Sequence, residues 1–198
     1  MPMICGIDEA GRGPLAGPVC AAAVILSDNF PRHLLNDSKK LSPLKREDLR
    51  QQICEGALAW GVGWASHTEI DSINILQASL LAMKRAFEEM AKKAAQSILS
   101  GKDISVIVDG LYVPDISIGH GIAVMECTAM VKADAKVPEV MAASILAKTA
   151  RDDYMDEMAL LYPQYGYEKH KGYPTKAHRA AVSLHGPSPI QRISFRVT

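Results

Sequence analysis

Apolar and polar residues follow patterns along the chain that predict both strands and long helices. Short apolar runs of β-branched and small residues predict five strands, at residues 3–8, 19–26, 57–66, 104–108 and 122–127. Prolines at 43 and 138 predict the starts of helices at residues 43–56 and 138–161. Apolar residues three and four apart predict a helix at 68–93, and a short basic stretch predicts one at 175–184. The first two strands are expected to pair as a hairpin. Strands mixed with long helices indicate an α/β fold with a mixed sheet.

Composition narrows the class of protein. The 198 residues are 48% hydrophobic and 22% charged, which excludes a disordered chain, collagen and a coiled coil. The longest apolar stretch, residues 14–26, is shorter than the roughly 20 residues of a membrane helix. Asp8 and Glu9 lie where a signal peptide would be apolar. Four isolated cysteines are typical of reduced thiols, so we expect a cytoplasmic protein with one main domain.

The charges are balanced overall but unevenly distributed. Twenty-two basic and twenty-two acidic residues give no net charge, which argues against a strongly basic, nonspecific nucleic-acid binder. From Tyr165 to the end, however, six lysines and arginines accompany a single acidic residue, Glu168. A basic end of this kind can bind a polyanion locally even in a neutral protein.

Carboxylates lie at the ends of two predicted strands. Asp8 and Glu9 end the first strand, Asp109 ends the fourth, and Asp134 precedes the helix at 138–161. If the first and fourth strands are neighbours, Asp8 and Asp109 point into one crevice. Several carboxylates close together repel each other, which favours a bound Mg²⁺ or Mn²⁺ ion. Asp8 and Glu9 face opposite sides of a strand, so both reach one ion only if the strand ends or bends, which Gly11 permits. The alternative is a set of solvated surface acids.

Gly11, Arg12 and Gly13 form a second candidate feature. The spacing is not that of a dinucleotide or P-loop motif, and no helix follows it. Two glycines allow backbone groups to approach a ligand closely, and the Arg12 guanidinium suits a phosphate. The alternative interpretation is an ordinary hairpin turn with a surface arginine.

Basic and aromatic residues supply candidate phosphate and sugar contacts. Lys39 and Lys40 lie in a polar loop, and Tyr173 follows a lysine-rich segment. Ser144, Lys148 and Arg151 recur at spacings of four and three, so they share one helix face. Aromatic rings among cations are typical of nucleic-acid surfaces. A solvated basic face with half-buried tyrosines is the alternative.

These segments together resemble ribonuclease HII closely. The most specific strings are Gly-Ile-Asp-Glu-Ala-Gly-Arg-Gly-Pro near the start and the helical stretch that begins Val-Pro-Glu-Val-Met-Ala-Ala-Ser. The matching strings span nearly the whole chain in order, at residues 6–19, 36–42, 73–76, 108–110, 131–134, 137–152 and 170–175.

The resemblance implies a fold and an activity. The expected fold is a ribonuclease H-like mixed five-stranded sheet flanked by helices, with a catalytic domain at 1–164 and a small, basic, helical C-terminal segment at 165–198. The expected activity is metal-dependent cleavage of the RNA in RNA–DNA hybrids. The family also nicks 5′ of single ribonucleotides in duplex DNA, which links it to ribonucleotide excision repair, and leaves 5′-phosphate and 3′-hydroxyl ends.

The resemblance also assigns roles to residues. It implies that the metal ions, Mn²⁺ or Mg²⁺, are held by four catalytic acids, Asp8, Glu9, Asp109 and Asp134. It implies that the backbone of Gly11, Arg12 and Gly13 contacts the ribonucleotide 2′-hydroxyl, and that Tyr173 stacks on the following deoxyribose. The expected mechanism is in-line attack by a metal-activated water. Weaker candidates for substrate contacts are Lys39, Lys40, Ser144, Lys148 and Arg151.

Two other function classes fit these residues less well. A non-catalytic nucleic-acid binder gains nothing from clustered carboxylates, because they repel phosphates. A Mg²⁺-dependent phosphomonoesterase often uses an Asp-x-Asp pair, which Asp8 and Glu9 do not match. We expect a monomer with no membrane partner. The end of the chain, residues 191–197, lacks the paired aromatics of a sliding-clamp peptide, so clamp binding is not predicted.

Overall fold

Five strands form one mixed sheet in the computed structural model, which describes residues 3–35, 42–95, 102–116 and 123–196. The strands, in chain order, are β1 (Met3–Ala10), β2 (Val19–Leu26), β3 (Ala57–Ala65), β4 (Asp103–Asp109) and β5 (Ala123–Met130). Their order across the sheet is β3-β2-β1-β4-β5. β2 is antiparallel to both β1 and β3, whereas β1, β4 and β5 run parallel. The predicted mixed sheet and its initial hairpin are confirmed.

Five α-helices accompany the sheet in the described ranges of the chain. They are α1 (Pro43–Gly56), α2 (His67–Ala95), α3 (Pro138–Leu161), α4 (Tyr167–His170) and α5 (Lys176–His185). The bounds of α1 and α3 match the prediction, because a proline begins each helix. Helix α4 and the 3₁₀ turn Ala133–Ala135 were not predicted. None of the helices in the described part of the chain is long and apolar enough to cross a membrane.

The long helix α2 departs from the predicted regular pattern at Asn74. This residue has a φ of 68°, so the helix is kinked there. Its side-chain Oδ1 accepts hydrogen bonds from the N–H groups of Leu76 at 3.0 Å and Gln77 at 3.2 Å. Asn74 therefore caps the second part of the helix, which a periodic apolar pattern does not reveal.

The two faces of the sheet are buried by different helices. On one face, Val19, Ala21, Ala23 and Ile25 of β2 pack in a core that includes the buried residues of α2. On the other face, the alternate residues of β2 pack against α1 and α3. All eight residues of β2 are buried, as expected of a strand covered on both sides. The sheet thus supplies a rigid frame for its strand ends.

The start of α3 lies unusually close to β1. A Cβ atom on Gly6 would lie 2.2 Å from the backbone carbon of Glu139, so no larger residue fits. This contact places the first turns of α3 beside the end of β1. The neighbouring part of α3 and the C-terminal residues form a third buried cluster, made of Ala16, Met155, Ala159, Tyr165, Tyr167 and Ile190.

Candidate active site

The predicted carboxylates gather at one edge of the sheet. β1 and β4 are parallel neighbours, so their carboxyl ends meet as the sequence interpretation required. A cavity of about 370 Å³ opens at this edge, and all four predicted acids line it, namely Asp8, Glu9, Asp109 and Asp134. The cavity is therefore surrounded by carboxylates from two strand ends and from the turn before α3.

The end of β1 lets two successive residues reach this cavity. The pairing of β1 with β4 stops at Ile7 opposite Val108, whereas its pairing with β2 continues to Ala10 opposite Cys20. Asp8 and Glu9 thus lie beyond the last pair with β4, and both line the cavity. The strand runs two residues further than predicted before Gly11, at a φ of 101°, turns the chain.

Asp109 also organises the turn that carries Asp134. Its Oδ1 accepts hydrogen bonds from the N–H of Ala133 at 2.7 Å and from the N–H of Asp134 at 3.4 Å. Lys132, just before them, has a left-handed φ of 59°. One carboxylate of the site therefore fixes the backbone position of another.

The surroundings of Asp8 and Glu9 disfavour their charged forms. The Asp8 side chain is buried, and this burial, with the charges of Glu9 and Asp109, raises its pKa well above the usual range. Hydrogen bonds from Ser144 and from the Glu9 N–H at 2.7 Å oppose this rise. Burial also raises the pKa of Glu9, and the Arg12 guanidinium, 3.3 Å from its Oε1, opposes this rise. A cation bound in the cavity would favour the charged forms of both carboxylates.

The donor set of the cavity suits a hard divalent cation. Glu9 Oε2 is buried and accepts no hydrogen bond within the described part of the chain. Carboxylate oxygens are the preferred ligands of Mg²⁺ and Mn²⁺. Over the same described residues, no three His, Cys, Asp or Glu side chains are already arranged as a metal cage. The residues around the cavity therefore fit the ion in chemistry, although their side chains are not arranged as a closed cage.

The loop after β1 forms another wall of the cavity, together with Tyr173. A Cβ atom on Gly11 would lie 2.1 Å from Arg151 Nε, and Gly11 has a positive φ, so only glycine fits. A Cβ atom on Gly13 would lie 3.6 Å from the Tyr173 ring, which is an ordinary contact distance. The Arg12 side chain and the Tyr173 ring are both partly exposed, so the wall offers backbone, cation and aromatic surface.

The three predicted residues of α3 have different positions. Ser144 and Lys148 line the cavity, and Lys148 Nζ lies 2.5 Å from Asp152 Oδ1. Arg151 does not line it, because its guanidinium is buried and donates three hydrogen bonds to backbone carbonyls. These acceptors lie at 3.0, 3.1 and 3.2 Å, and they are Pro18, Lys171 and Ala16. This position gives no support to the expected phosphate contact of Arg151, which stays a prediction. Lys39 and Lys40 lie outside the described residues.

Arg46 lines the cavity and was not predicted. It lies in α1, mostly buried, with its Nη1 3.8 Å from Asp152 Oδ2 on α3. Nothing in the local sequence distinguishes it from the other charged residues of α1. Only the packing of α1 against α3 brings it to the cavity, so a sequence pattern could not have identified it.

The chain is similar to known proteins over nearly its whole length. The family model described as Ribonuclease HII matches residues 5–198. The chain is 54% identical to ribonuclease HII of Treponema denticola over 98% of each chain. It is 51% identical to ribonuclease HII of Dechloromonas aromatica over 98% of this chain and 90% of that one. Its structure is similar to the crystal structure of ribonuclease H2 from Pyrococcus horikoshii OT3, with a TM-score of 0.67, 27% identity and coverage of 98% and 94%.

Proposed function

The chain belongs to the ribonuclease HII family, and from that premise we propose how it selects and cuts its substrate. It is an endoribonuclease that acts on RNA–DNA hybrids, and its fold is the expected ribonuclease H-like fold. We propose that it also nicks duplex DNA on the 5′ side of a single embedded ribonucleotide. The proposed products carry 5′-phosphate and 3′-hydroxyl ends.

One observation carries this proposal. The four acids, the Gly11–Gly13 backbone and the Tyr173 ring line the same cavity. Groups suited to hydrolysis of a phosphodiester are therefore adjacent to groups suited to recognition of a sugar. A single ribonucleotide is enough to place a 2′-hydroxyl against the loop and its 5′ phosphate against the acids.

In this proposal the acids hold Mn²⁺ or Mg²⁺ ions. Asp8 and Asp109 are the most central ligands, because Asp109 ends β4 and the buried Asp8 follows the last residue of β1 that pairs with β4. Glu9, with its unpartnered Oε2, and Asp134 complete the set. Divalent ions bound there supply Lewis-acid activation of water and stabilise the leaving oxygen. Ser144 orients the Asp8 carboxylate by a hydrogen bond.

The loop and Tyr173 supply the selectivity for a ribonucleotide. The N–H groups of Arg12 and Gly13 donate no hydrogen bond to any acceptor in the described residues. A 2′-hydroxyl oxygen can accept from them, and it distinguishes RNA from DNA at a single position. The ring of Tyr173, 42% exposed, offers a face for the next deoxyribose. Arg12, Arg46 and Lys148 offer positive charge to the flanking phosphates. Lys39 and Lys40 remain predictions for the same role.

The test uses three labelled duplexes: an RNA–DNA hybrid, a DNA duplex with one ribonucleotide, and an all-DNA duplex. Each is incubated with Mg²⁺, with Mn²⁺ or with a chelator. We expect metal-dependent cleavage of the first two only. Binding without a nick at the lone ribonucleotide would contradict the proposal, and cleavage in the presence of the chelator would contradict the metal assignment.

A further inference from the structure

Arg192 is a buried arginine whose whole guanidinium is surrounded by one loop. Its exposed fraction is 0%, although the sequence places it in the basic end of the chain. All of its side-chain hydrogen bonds go to backbone carbonyls of the loop after β1. The acceptors are Gly11 at 2.6 Å, Pro14 at 2.8 Å, Gly17 at 2.8 Å, Arg12 at 3.1 Å and Pro18 at 3.1 Å.

This burial is costly, and the loop carbonyls compensate for it. Burial, followed by the nearby charge of Arg151, lowers the pKa of Arg192 to about 9. No carboxylate in the described residues forms an ion pair with it. The charge is therefore stabilised by the dipoles of the loop carbonyls, which must point inward to reach it. The planar guanidinium of arginine, with five N–H donors, can bind several carbonyls at once, whereas the ammonium group of lysine cannot match this geometry.

The direction of these carbonyls determines the direction of the neighbouring N–H groups. In a trans peptide the C=O of one residue and the N–H of the next point in opposite directions. Leu15 shows the effect, because the Pro14 carbonyl accepts from Arg192 while the Leu15 N–H donates to the Gly172 carbonyl at 2.8 Å. By the same rule, the inward carbonyls of Gly11 and Arg12 turn the N–H groups of Arg12 and Gly13 away from Arg192.

We infer that Arg192 is the positioning residue for ribonucleotide recognition. It holds the peptide planes of the Gly11–Gly13 loop so that the N–H groups of Arg12 and Gly13 face the substrate, without touching the substrate itself. The inference rests on the proposed function, since it explains how the same loop selects a ribonucleotide. It makes the C-terminal segment a part of the recognition site.

The segment that carries Arg192 is itself anchored from outside. Asp71 of α2 accepts hydrogen bonds from the N–H of Ile193 at 3.0 Å and from the N–H of Ser194 at 2.9 Å. The Ser194 hydroxyl donates to the same carboxylate at 2.5 Å. The Arg192 N–H donates to the Leu15 carbonyl at 2.8 Å. Asp71 therefore offers a way to perturb Arg192 from the surface, without removing a buried group.

The test compares Arg192→Gln, Arg192→Lys and Asp71→Asn with the wild type. The matched control is Tyr167→Phe, which removes a buried hydrogen bond to Ser188 in the same segment; within the described residues, Tyr167 forms no side-chain hydrogen bond with Gly11, Arg12 or Gly13. For each protein we measure the folded fraction, kcat and KM on a duplex with one ribonucleotide. The inhibition constant of an all-DNA duplex is measured as well. A merely structural role lowers the folded fraction and leaves the ratio of that inhibition constant to KM unchanged.

We expect Arg192→Gln to lower kcat/KM by about 100-fold, which is the cost of an approximately 1 Å displacement of positioning groups. Its KM should approach the inhibition constant of the all-DNA duplex, and Arg192→Lys should recover only part of the loss. Asp71→Asn should stay folded and show a smaller effect of the same kind. Its ratio of the all-DNA inhibition constant to KM should fall by about tenfold. Tyr167→Phe should keep the wild-type ratio.

Two results would overturn the inference, and they are distinguishable. If folded Arg192→Lys and Asp71→Asn proteins keep the wild-type discrimination, Arg192 is only a structural residue and the proposed function stands. If Arg192→Gln does not fold, these two variants decide the question. If the wild type does not nick at a lone ribonucleotide, the proposed function fails and the inference fails with it.

Discussion

A methyl group on Gly13 tests whether the loop backbone contacts the substrate. Gly13 is not among the glycines with a positive φ, so alanine can adopt its conformation. The new Cβ would lie 3.6 Å from Tyr173 Cε1, and its nearest contacts are all with that ring. The methyl group therefore meets no obstacle in the protein, but it occupies space between the loop and Tyr173 at the wall of the cavity.

The expected effects on stability and activity have opposite signs. Alanine at a compatible glycine position stabilises a protein by about 0.4–1 kcal/mol, because the unfolded chain loses freedom. The same methyl group keeps a sugar from approaching the Gly13 backbone. We expect kcat/KM at a lone ribonucleotide to fall by about 100-fold, because a displacement of the substrate by about 1 Å can cost this factor.

Gly11→Ala is the contrasting variant. Its Cβ would lie 2.1 Å from Arg151 Nε at a φ of 101°, so both the backbone and a buried arginine must shift. The left-handed strain and the disturbed buried hydrogen bonds together cost about 2–5 kcal/mol. Thermal melts and nicking kinetics of both variants are the assay. A Gly13→Ala protein that is stable and fully active would refute the reasoning, because the substrate would then not approach the loop closely.

Three further predictions concern the acids, the aromatic ring and the histidines. Asp8→Asn and Asp109→Asn should lose nearly all turnover but keep the wild-type affinity for the duplex, measured by gel-shift titration. Tyr173→Ala should slow cleavage at a lone ribonucleotide about tenfold, the scale of one stacking contact, and Tyr173→Phe should restore it. Burial lowers the pKa of His170 and His178, which stack with centroids 4.6 Å apart. Because the unfolded chain then binds protons first, the stability that the two neutral histidines contribute should be fully present above about pH 6.5 and be lost as the pH falls below it.

Each of these predictions has a result that contradicts it. Full turnover in either Asn variant would remove that acid from the catalytic set. An unchanged rate and affinity in Tyr173→Ala would remove the ring from the substrate site. The raised pKa values of Asp8 and Glu9 act in the opposite direction, so the comparison is with His178→Asn, in which that effect is the same. If the difference in melting temperature between the wild type and His178→Asn does not change as the pH falls, His178 takes up its proton without cost and the prediction is wrong.

The sequence was sufficient for the architecture and for the gathering of the four acids at one edge of the sheet, while their catalytic role stays a prediction. These features follow from strong local patterns. Apolar runs predicted the strands, and Pro43 and Pro138 predicted the starts of α1 and α3. Carboxylates at the ends of predicted strands indicated a site at one edge of the sheet. The site then followed from the parallel pairing of β1 with β4. The monomeric state, the cytoplasmic location, the boundary at residue 164 and the absence of a clamp peptide stay predictions.

The sequence did not indicate that Arg151 and Arg192 are buried. Spacing places Arg151 on one helix face with Ser144 and Lys148, but it does not say that α3 is enclosed at that point. Arg192 counts as a tail charge in the sequence, yet the loop after β1 closes around it. Both cases depend on contacts between residues more than 100 positions apart. Local pattern carries no information about such contacts.

The most direct test of the account is the position and chemistry of the cut at a single ribonucleotide. A DNA duplex labelled at either end of the ribonucleotide strand is digested by the wild type and, in parallel, by Asp109→Asn. We expect one metal-dependent nick immediately 5′ of the ribonucleotide, with 5′-phosphate and 3′-hydroxyl ends, and no nick with the variant. A cut on the 3′ side with a 2′,3′-cyclic end, or equal cutting by the variant, would contradict it.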